Sequence, residues 1–349
     1  MSELHLTLTD YQSERQWRWL LQDERGNFLG DHDVNLPADA EYDGFRDPTR
    51  YLAYHSAYRT AADSLARLGA WIGAHVFGDL RGQLAASLVP PATPVHLHVS
   101  AAAQGVLFRP LELARFANGQ SFTEAGLRFI YRMAGAADPS RAAAQQPPPQ
   151  TLRLLAVFSL PGRTNPLNLR RERYQLTRFV RQLSQVRNVA VELRVLQYGA
   201  TRETLKQALQ EAEGWDVVHL SGHGLRGELL LEDAGGNEDF ISAADLTDLL
   251  RPGQQRLKLL ILDACYSGAA SHAAARRAVG LDDPTRADAS TVEGQKQTEL
   301  PSLAQDLVAG LDCAALAMRY PVGDAFATDL MLALYDKLLD KGQPLPAAL

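Results

Sequence analysis

From residue 151 onward, unbroken apolar segments alternate with amphipathic ones, and this alternation constrains the fold more than any other feature of the sequence. The segments between the apolar runs, such as 170–187 and 201–213, carry apolar residues at helical spacing. Strands that are apolar on both faces and separated by helices indicate a mostly parallel sheet with helices on both faces, so we predict an α/β fold. The apolar runs that predict strands are 152–158, 189–196, 216–220, 257–262 and 314–318.

The chain before this core has a different pattern. The first 35 residues alternate as strands do, and Arg25-Gly26-Asn27 between two apolar runs predicts a hairpin turn. Residues 135–150 are rich in Ala, Gln and Pro and predict a linker. We therefore divide the chain into a β-hairpin extension (1–50), a second N-terminal part that ends in the Pro-rich linker (51–150) and the core (151–349).

Composition excludes several classes of protein. Lys and Arg total 35 against 41 Asp and Glu, a net charge of −6, and no long basic run is present, which argues against nucleic-acid binding. The longest uncharged stretch, 82–108, contains three prolines and two histidines, so we expect no membrane span. Two cysteines, Cys265 and Cys313, make neither a disulfide scaffold nor a four-cysteine zinc site, and they favour a reducing, cytoplasmic setting.

Two of the predicted strands run directly into chemically reactive residues. One is followed by His223-Gly224 and the other by Asp263-Ala264-Cys265. Ligands bind beyond the carboxyl ends of parallel strands, so we expect His223 and Cys265 to face each other across one crevice. An imidazole beside a thiol raises the thiolate fraction and then protonates the leaving amine, and backbone N–H groups at Gly224 and Cys265 could stabilise an oxyanion.

Competing interpretations of these residues are weaker. The pattern Gly222-His-Gly-Leu-Arg-Gly227 resembles a dinucleotide fingerprint, but a strand and turn rather than a helix are predicted after it. His219 and His223 have the spacing of a zinc helix, yet they fall in a strand and a glycine turn, so we predict no metal site. Cys313 lies ahead of an apolar strand and is interpreted as a core residue.

The His-Gly and Asp-Ala-Cys blocks resemble the caspase-like clan of cysteine peptidases, and the chain is similar in particular to the CHAT domain, a bacterial caspase-like domain related to separase. The similarity extends over roughly residues 55–349. The segment from Leu107 to Leu113 stands where that family has a Pro-Trp-Glu-Leu block, although the Trp is missing here. Glu172 falls in the family's helix after the first core strand, and 302–308, 317–322 and 326–342 match its closing half.

This resemblance implies a cysteine endopeptidase in which Cys265 is the nucleophile and His223 is the general base and acid, with no cofactor. His219 is interpreted as a packing or supporting residue. Asp263 stands where clan members that cleave after Arg or Lys have an acidic residue in the specificity pocket, and a carboxylate there suits a guanidinium. The alternative is that Asp263 is a buried residue that caps the following turn.

Residues 269–301 form a long polar segment directly after the nucleophile strand. In caspase-like enzymes maturation cuts often fall in the corresponding connection, so the resemblance makes this segment a candidate for self-cleavage. The alternative is a plain surface insertion. The basic residues at which an Arg-directed enzyme would cut its own chain are Arg276, Arg277 and Arg286.

The expected function is therefore cleavage of a partner protein under the control of an activating partner or signal, in a bacterial defence setting. Two other classes stay open. One is a catalytically silent caspase-like scaffold or switch module, and the other is a nucleotide-binding protein, which the strand predicted after Gly227 disfavours.

Overall fold

A computed structural model describes residues 3–36, 62–132, 151–162, 164, 167–187, 190–211, 214–225, 227–264, 303–318 and 324–349. The first strands are β1 (Leu4–Ser13), β2 (Gln16–Asp23), β3 (Phe28–Asn35), β4 (Thr93–His98), β5 (Leu127–Arg132), β6 (Leu152–Ser159) and β7 (Val191–Gln197). The later strands are β8 (Val217–Gly222), β9 (Gly224–Leu225), β10 (Glu228–Glu232), β11 (Glu238–Ser242), β12 (Leu259–Ala264) and β13 (Ala314–Ala317). The α-helices are α1 (Ala62–Ile72), α2 (Leu80–Ala86), α3 (Leu169–Gln182), α4 (Arg202–Leu209), α5 (Ala243–Leu250), α6 (Leu303–Leu311), α7 (Asp324–Tyr335) and α8 (Leu345–Ala348).

The N-terminal strands form one five-stranded sheet in the order β3-β2-β1-β4-β5. The hairpin predicted at Arg25–Asn27 is confirmed, because β2 and β3 pair antiparallel on either side of it. Strand β1 also pairs parallel with β4, so strands from both predicted N-terminal segments share this sheet. Its core includes Arg109, which is buried and stacks over the ring of Trp17. The domain boundaries at 50 and 150 stay predictions.

The core sheet has the order β13-β12-β8-β6-β7, and every neighbouring pair is parallel. Alternate residues of each strand point to opposite faces. One face packs Leu155, Leu220 and Leu262 into a cluster that includes residues of α4, α5 and α6. The other face packs Phe158 and Ile261 into a second cluster with residues of α3 and α7. The predicted α/β fold, with helices on both faces of a parallel sheet, is confirmed.

Two strands extend further than the apolar pattern predicts. The expected strands 216–220 and 257–262 continue to Gly222 and Ala264, because the polar residues Ser221 and Asp263 pair with each other in the sheet and are buried. The last helix also differs: α7 passes into a π-helical turn at Asp336–Asp340 and is followed by α8.

A small three-stranded sheet, in the order β11-β10-β9, lies between β8 and α5 in the chain. It begins at Gly224, directly after β8, and Gly162 N–H donates to the carbonyl of Gly236 in its hairpin. Strand β10 confirms the strand predicted after Gly227. Within the part of the chain that the structure describes, no helix is long and apolar enough to cross a bilayer.

Candidate active site

His223 lies at the carboxyl end of the two central strands. It follows Gly222, the last residue of β8, and Gly222 pairs in register with Ala264, the last residue of β12. Neighbouring strands lie about 4.8 Å apart, so the chain positions that directly precede His223 and Cys265 are side by side. Cys265 itself lies outside the described residues, and the Cys–His dyad stays a prediction.

The backbone around His223 is held from two sides. Its carbonyl accepts a hydrogen bond of 3.0 Å from the N–H of Leu230, and the next residue, Gly224, pairs with Leu229. On the other side, Gly222 pairs with Ser159 of β6 so closely that a Cβ at residue 222 would lie 2.6 Å from the Ser159 carbonyl oxygen. His223 is half-buried in this junction between the core sheet and the small sheet.

His223 lines a small, open pocket whose enclosed space holds about one water molecule. Leu220, Leu229 and Leu231 contribute apolar surface to it, and Ser159 and Ala264 line it at the ends of β6 and β12. The pocket therefore lies at the carboxyl end of the parallel sheet, where ligand sites of such folds occur. Its lining is mostly apolar, and it is far smaller than the pockets of about 300–1,000 Å³ that hold nucleotides and other small molecules.

Glu232, at the end of β10, holds β10 against the segments that follow β6 and β7. It is 8% exposed, and its carboxylate accepts hydrogen bonds from the backbone N–H of Leu160 at 3.2 Å and of Gly199 at 2.7 Å. These contacts join β10 to the segments that leave β6 and β7. The sequence does not identify Glu232 as a functional residue, because a Glu after an apolar run is equally typical of an exposed strand end.

A buried polar cluster lies on the opposite face of the sheet, at the same end of the strands. His219 Nε2 lies 3.0 Å from Glu172 Oε1, and His219 Nδ1 lies 2.8 Å from the Tyr335 hydroxyl. The hydroxyl of Ser221 donates to Glu172 Oε2 at 2.7 Å. Helices α3 and α7 supply Glu172 and Tyr335, and β8 supplies the other two side chains.

Asp263 completes this cluster from β12. It is 7% exposed, and its Oδ2 has no hydrogen-bond partner among the described residues. Burial and the neighbouring charge of Glu172 raise the pKa of Asp263 to about 6, although His219 acts in the opposite direction. The sequence predicts that Asp263 lies at the base of a specificity pocket, with the alternative that it caps the next turn. Both interpretations involve residues after Ala264, and both stay predictions.

The electrostatics of the cluster centre on His219. Burial lowers the pKa of His219, but the hydrogen bond and charge of Glu172 and the charge of Asp263 raise it above its ordinary value. Burial and the same two carboxylates place the pKa of Tyr335 well above its ordinary value, so its hydroxyl stays protonated.

Within the described ranges, Glu172, His219 and Asp263 are the one group of three metal-ligating side chains close enough to share an ion, with ligand atoms within 4.8 Å of one another. Both nitrogens of His219 and both oxygens of Glu172 already have hydrogen-bond partners. An ion would have to replace those hydrogen bonds, so the arrangement fits a hydrogen-bonded network better than a metal site.

The structure also bears on the competing motifs. The strand β10, rather than a helix, follows Gly227, so the glycine pattern lacks the helix N-terminus that a dinucleotide site requires. His219 lies within β8 and bonds to Glu172 and Tyr335, which is not the helical pair of a zinc site. Cys313 is buried in the core, and burial raises the pKa of its thiol to about 12, so this thiol stays protonated.

Several predicted residues fall outside the described part of the chain. The segment 269–301 is one of them, and so is the Pro-rich linker 135–150. The predicted self-cleavage sites therefore stay predictions: Arg276, Arg277 and Arg286.

The family model of the CHAT domain matches residues 67–349, which is most of the chain and all of the core sheet. The protein therefore belongs to the CHAT family, and the resemblance inferred from its motifs is confirmed. No curated protein sequence matches the chain. Membership agrees with a caspase-like peptidase fold.

Proposed function

We propose that this protein is a cysteine endopeptidase in which Cys265 attacks the substrate and His223 transfers the protons. The observation that carries the proposal is the in-register pairing of Gly222 with Ala264 in a CHAT-family chain. Because the two strands are parallel and end together, the residues that follow them leave the sheet at the same edge. The pocket lined by His223 opens at that edge.

The chemistry requires only groups of this chain. His223 accepts the thiol proton of Cys265, and the thiolate attacks the carbonyl carbon of the scissile bond. Backbone N–H groups of Gly224 and Cys265 donate to the oxyanion, and protonated His223 gives its proton to the leaving amine. A water molecule deprotonated by His223 then hydrolyses the thioester and restores the thiol. No metal or organic cofactor enters this sequence of steps.

We further propose that cleavage follows Arg or Lys because Asp263 binds the basic side chain. An unpaired carboxylate oxygen in the interior is costly, and a guanidinium supplies paired N–H donors that would satisfy it. Glu172 is less suited to this task, since His219 and Ser221 already occupy its two oxygens. Asp263 keeps Oδ2 without a partner among the residues that the structure describes.

The dyad is tested with peptide libraries and three variants of the full chain. Cys265→Ala and His223→Ala should each remove cleavage almost completely, because members of a catalytic unit are not additive. Cys313→Ala is the matched control, since its protonated thiol lies in the core. Turnover that persists in Cys265→Ala would refute the peptidase. A folded wild type that produces no Cys265-dependent cleavage in cells, where the activating partner or signal can act, would favour the silent scaffold.

The specificity is tested with two substrates that differ only in charge, one with Arg before the scissile bond and one with its neutral isostere citrulline. We expect Asp263→Asn to reduce kcat/KM for the Arg peptide by about 100-fold or more, because the buried guanidinium would no longer have a carboxylate partner. The citrulline peptide carries no charge, so its kcat/KM should change little. An equal loss for both peptides would show that Asp263 acts only in the fold.

We propose that the natural substrate is another protein, cut in the cytoplasm once a partner protein or signal has activated the enzyme, with bacterial defence as the setting. The net charge of −6 gives no support to direct nucleic-acid binding. The test compares new protein N-termini in cells that express wild type or Cys265→Ala. Termini that follow Arg or Lys and depend on Cys265 support the proposal, and identical sets of termini refute it.

A further inference from the structure

The cluster beneath the active-site edge contains two carboxylates but no Lys or Arg side chain from the described residues. Glu172 is 5% exposed and Asp263 is 7% exposed, and no ion pair within the described ranges joins either of them to Lys or Arg. Two buried anions that share one volume repel each other, and neither is stabilised by bulk water. His219 is the one group of this cluster that can carry a positive charge.

We propose that His219 is the internal counter-cation of Asp263, so that it holds this carboxylate ionised and thereby sets the preference for a basic substrate side chain. The substrate part of this inference rests on the proposed function, whereas the charge of the cluster does not. His219 is 1% exposed, so it acts through Asp263 and is a positioning residue rather than a catalytic one.

The hydrogen bonds of His219 accommodate the imidazolium. Nε2–H donates to Glu172 Oε1 at 3.0 Å, and Nδ1–H donates to the Tyr335 oxygen at 2.8 Å. Neither bond uses an Asp263 oxygen, although the nearest ligand atoms of the three ionisable side chains lie within 4.8 Å. At such a separation inside a protein the attraction between the charges remains considerable. Asp263 is therefore stabilised by charge and still has an oxygen available for a substrate.

The remaining titratable groups around His219 come from every element packed against it. Glu172 faces it from α3, Asp263 from β12, and Tyr335 from α7, while Phe158 of β6 contributes an aromatic ring 6.1 Å away. Asp324 of α7 adds a further negative charge that acts on Asp263. The pKa of His219 is raised and that of Asp263 is about 6, which agrees with a charged pair near neutral pH.

The direct test is the protonation state of the cluster, measured by NMR on the full-length Cys265→Ala protein. We expect both ring nitrogens of His219 to carry protons at pH 7 and the Asp263 carboxyl carbon to titrate near pH 6. In His219→Gln, whose amide can still donate to Glu172 and accept from Tyr335, the Asp263 midpoint should rise by about one pH unit or more. Tyr335→Phe, which leaves the imidazole in place, should shift it less.

A neutral His219 at pH 7, or an Asp263 midpoint that does not move in His219→Gln, would overturn the inference. If His219→Gln does not fold, the protonation state of the two His219 ring nitrogens, measured with residue 219 unchanged, still tests the inference. Because these readouts need no turnover, identical sets of new N-termini in cells that express wild type or Cys265→Ala would refute the proposed function and leave this test intact.

The consequence for specificity is measured with the Arg and citrulline peptides over pH 5–9. If the enzyme is active, His219→Gln should move the acidic limb of kcat/KM to higher pH for the Arg peptide and leave the citrulline profile in place. A parallel change for both peptides would show that His219 only supports the fold, and it would overturn the inference.

Discussion

Asp263 should be a residue whose replacement stabilises the protein while it impairs function. Its carboxyl is buried, and burial and Glu172 raise its pKa to about 6 from an ordinary value of 3.8. Asparagine has the same shape as the protonated acid and no charge. We therefore predict that Asp263→Asn raises the free energy of unfolding above pH 6.

The direction in which stability changes with pH follows from proton linkage. A carboxyl with a raised pKa binds its proton more tightly in the folded than in the unfolded state, so stability falls as the pH rises from about 4 to about 6. Each tenfold change in proton affinity is worth about 1.4 kcal/mol, so the ionised Asp263 costs on the order of 3 kcal/mol at pH 7–8. Asp263→Asn should recover a part of this, about 1–3 kcal/mol, and should have little effect near pH 4.

Asp216 provides the matched control, since it is a buried aspartate just before the opposite end of the same central sheet. Its Oδ2 accepts hydrogen bonds from the backbone N–H of Arg153 and from the guanidinium of Arg256, each at 2.9 Å. Lys258 adds an ion pair at 3.5 Å. Oδ1 of Asp216 has no hydrogen-bond partner among the described residues, but Arg256 and Lys258 place two positive charges beside the carboxylate. Asp216→Asn removes their anionic partner and should destabilise the protein by about 1–3 kcal/mol at pH 7.

The assay is urea unfolding at pH 4.5 and pH 8, followed by circular dichroism, with all variants in the Cys265→Ala background to exclude proteolysis. Opposite signs for the two substitutions at pH 8 are expected. Destabilisation by Asp263→Asn at pH 8 as large as that by Asp216→Asn would refute the reasoning, because it would mean that Asp263 has stabilising partners in the fold.

Two further predictions concern the same edge of the sheet, and a third concerns self-cleavage. Gly222→Ala should lower the free energy of unfolding by about 1–3 kcal/mol and reduce kcat, because the new Cβ would lie 2.6 Å from the Ser159 carbonyl oxygen. An unchanged urea midpoint and unchanged turnover would contradict the close packing. Glu232→Ala should lower the urea midpoint, because it leaves two backbone N–H groups without acceptors at a cost of about 1–3 kcal/mol. An unchanged midpoint would show that water replaces the carboxylate. Self-cleavage should appear in wild type and not in Cys265→Ala, and mass spectrometry should place the new termini after Arg276, Arg277 or Arg286. Equal fragments in both proteins would indicate a contaminating protease.

Much of the architecture can be predicted from the sequence because burial on both faces of a strand leaves a local mark. The apolar run at 152–158 predicts β6 to within one residue. The helical spacing of 201–213 predicts the start of α4 to within one residue, and there the side chain of Thr201 accepts from the N–H of Thr204. The strand after Gly227 is predictable as well, and with it the weakness of the dinucleotide motif. Each of these features depends on neighbours in the chain.

The ends of β8 and β12 are less predictable. The apolar pattern stops before Ser221 and Asp263, yet both residues continue their strands and are buried. Hydrophobic periodicity assigns a polar residue to a strand end, since it has no means of showing that Glu172 of a distant helix accepts the Ser221 hydroxyl hydrogen bond.

The sequence by itself determined a parallel α/β sheet and the two strand ends that precede His223 and Cys265. Only the tertiary structure decided what the polar residues at that edge do. Glu172 and Tyr335 lie 47 and 116 positions from His219 in the chain, and folding brings them onto its two nitrogens. Asp216 and Asp263 are both buried aspartates at the ends of one sheet, and a local pattern does not distinguish them. The sign of a buried charge's contribution depends on the partners that distant segments place around it, and those partners exist only in the folded chain.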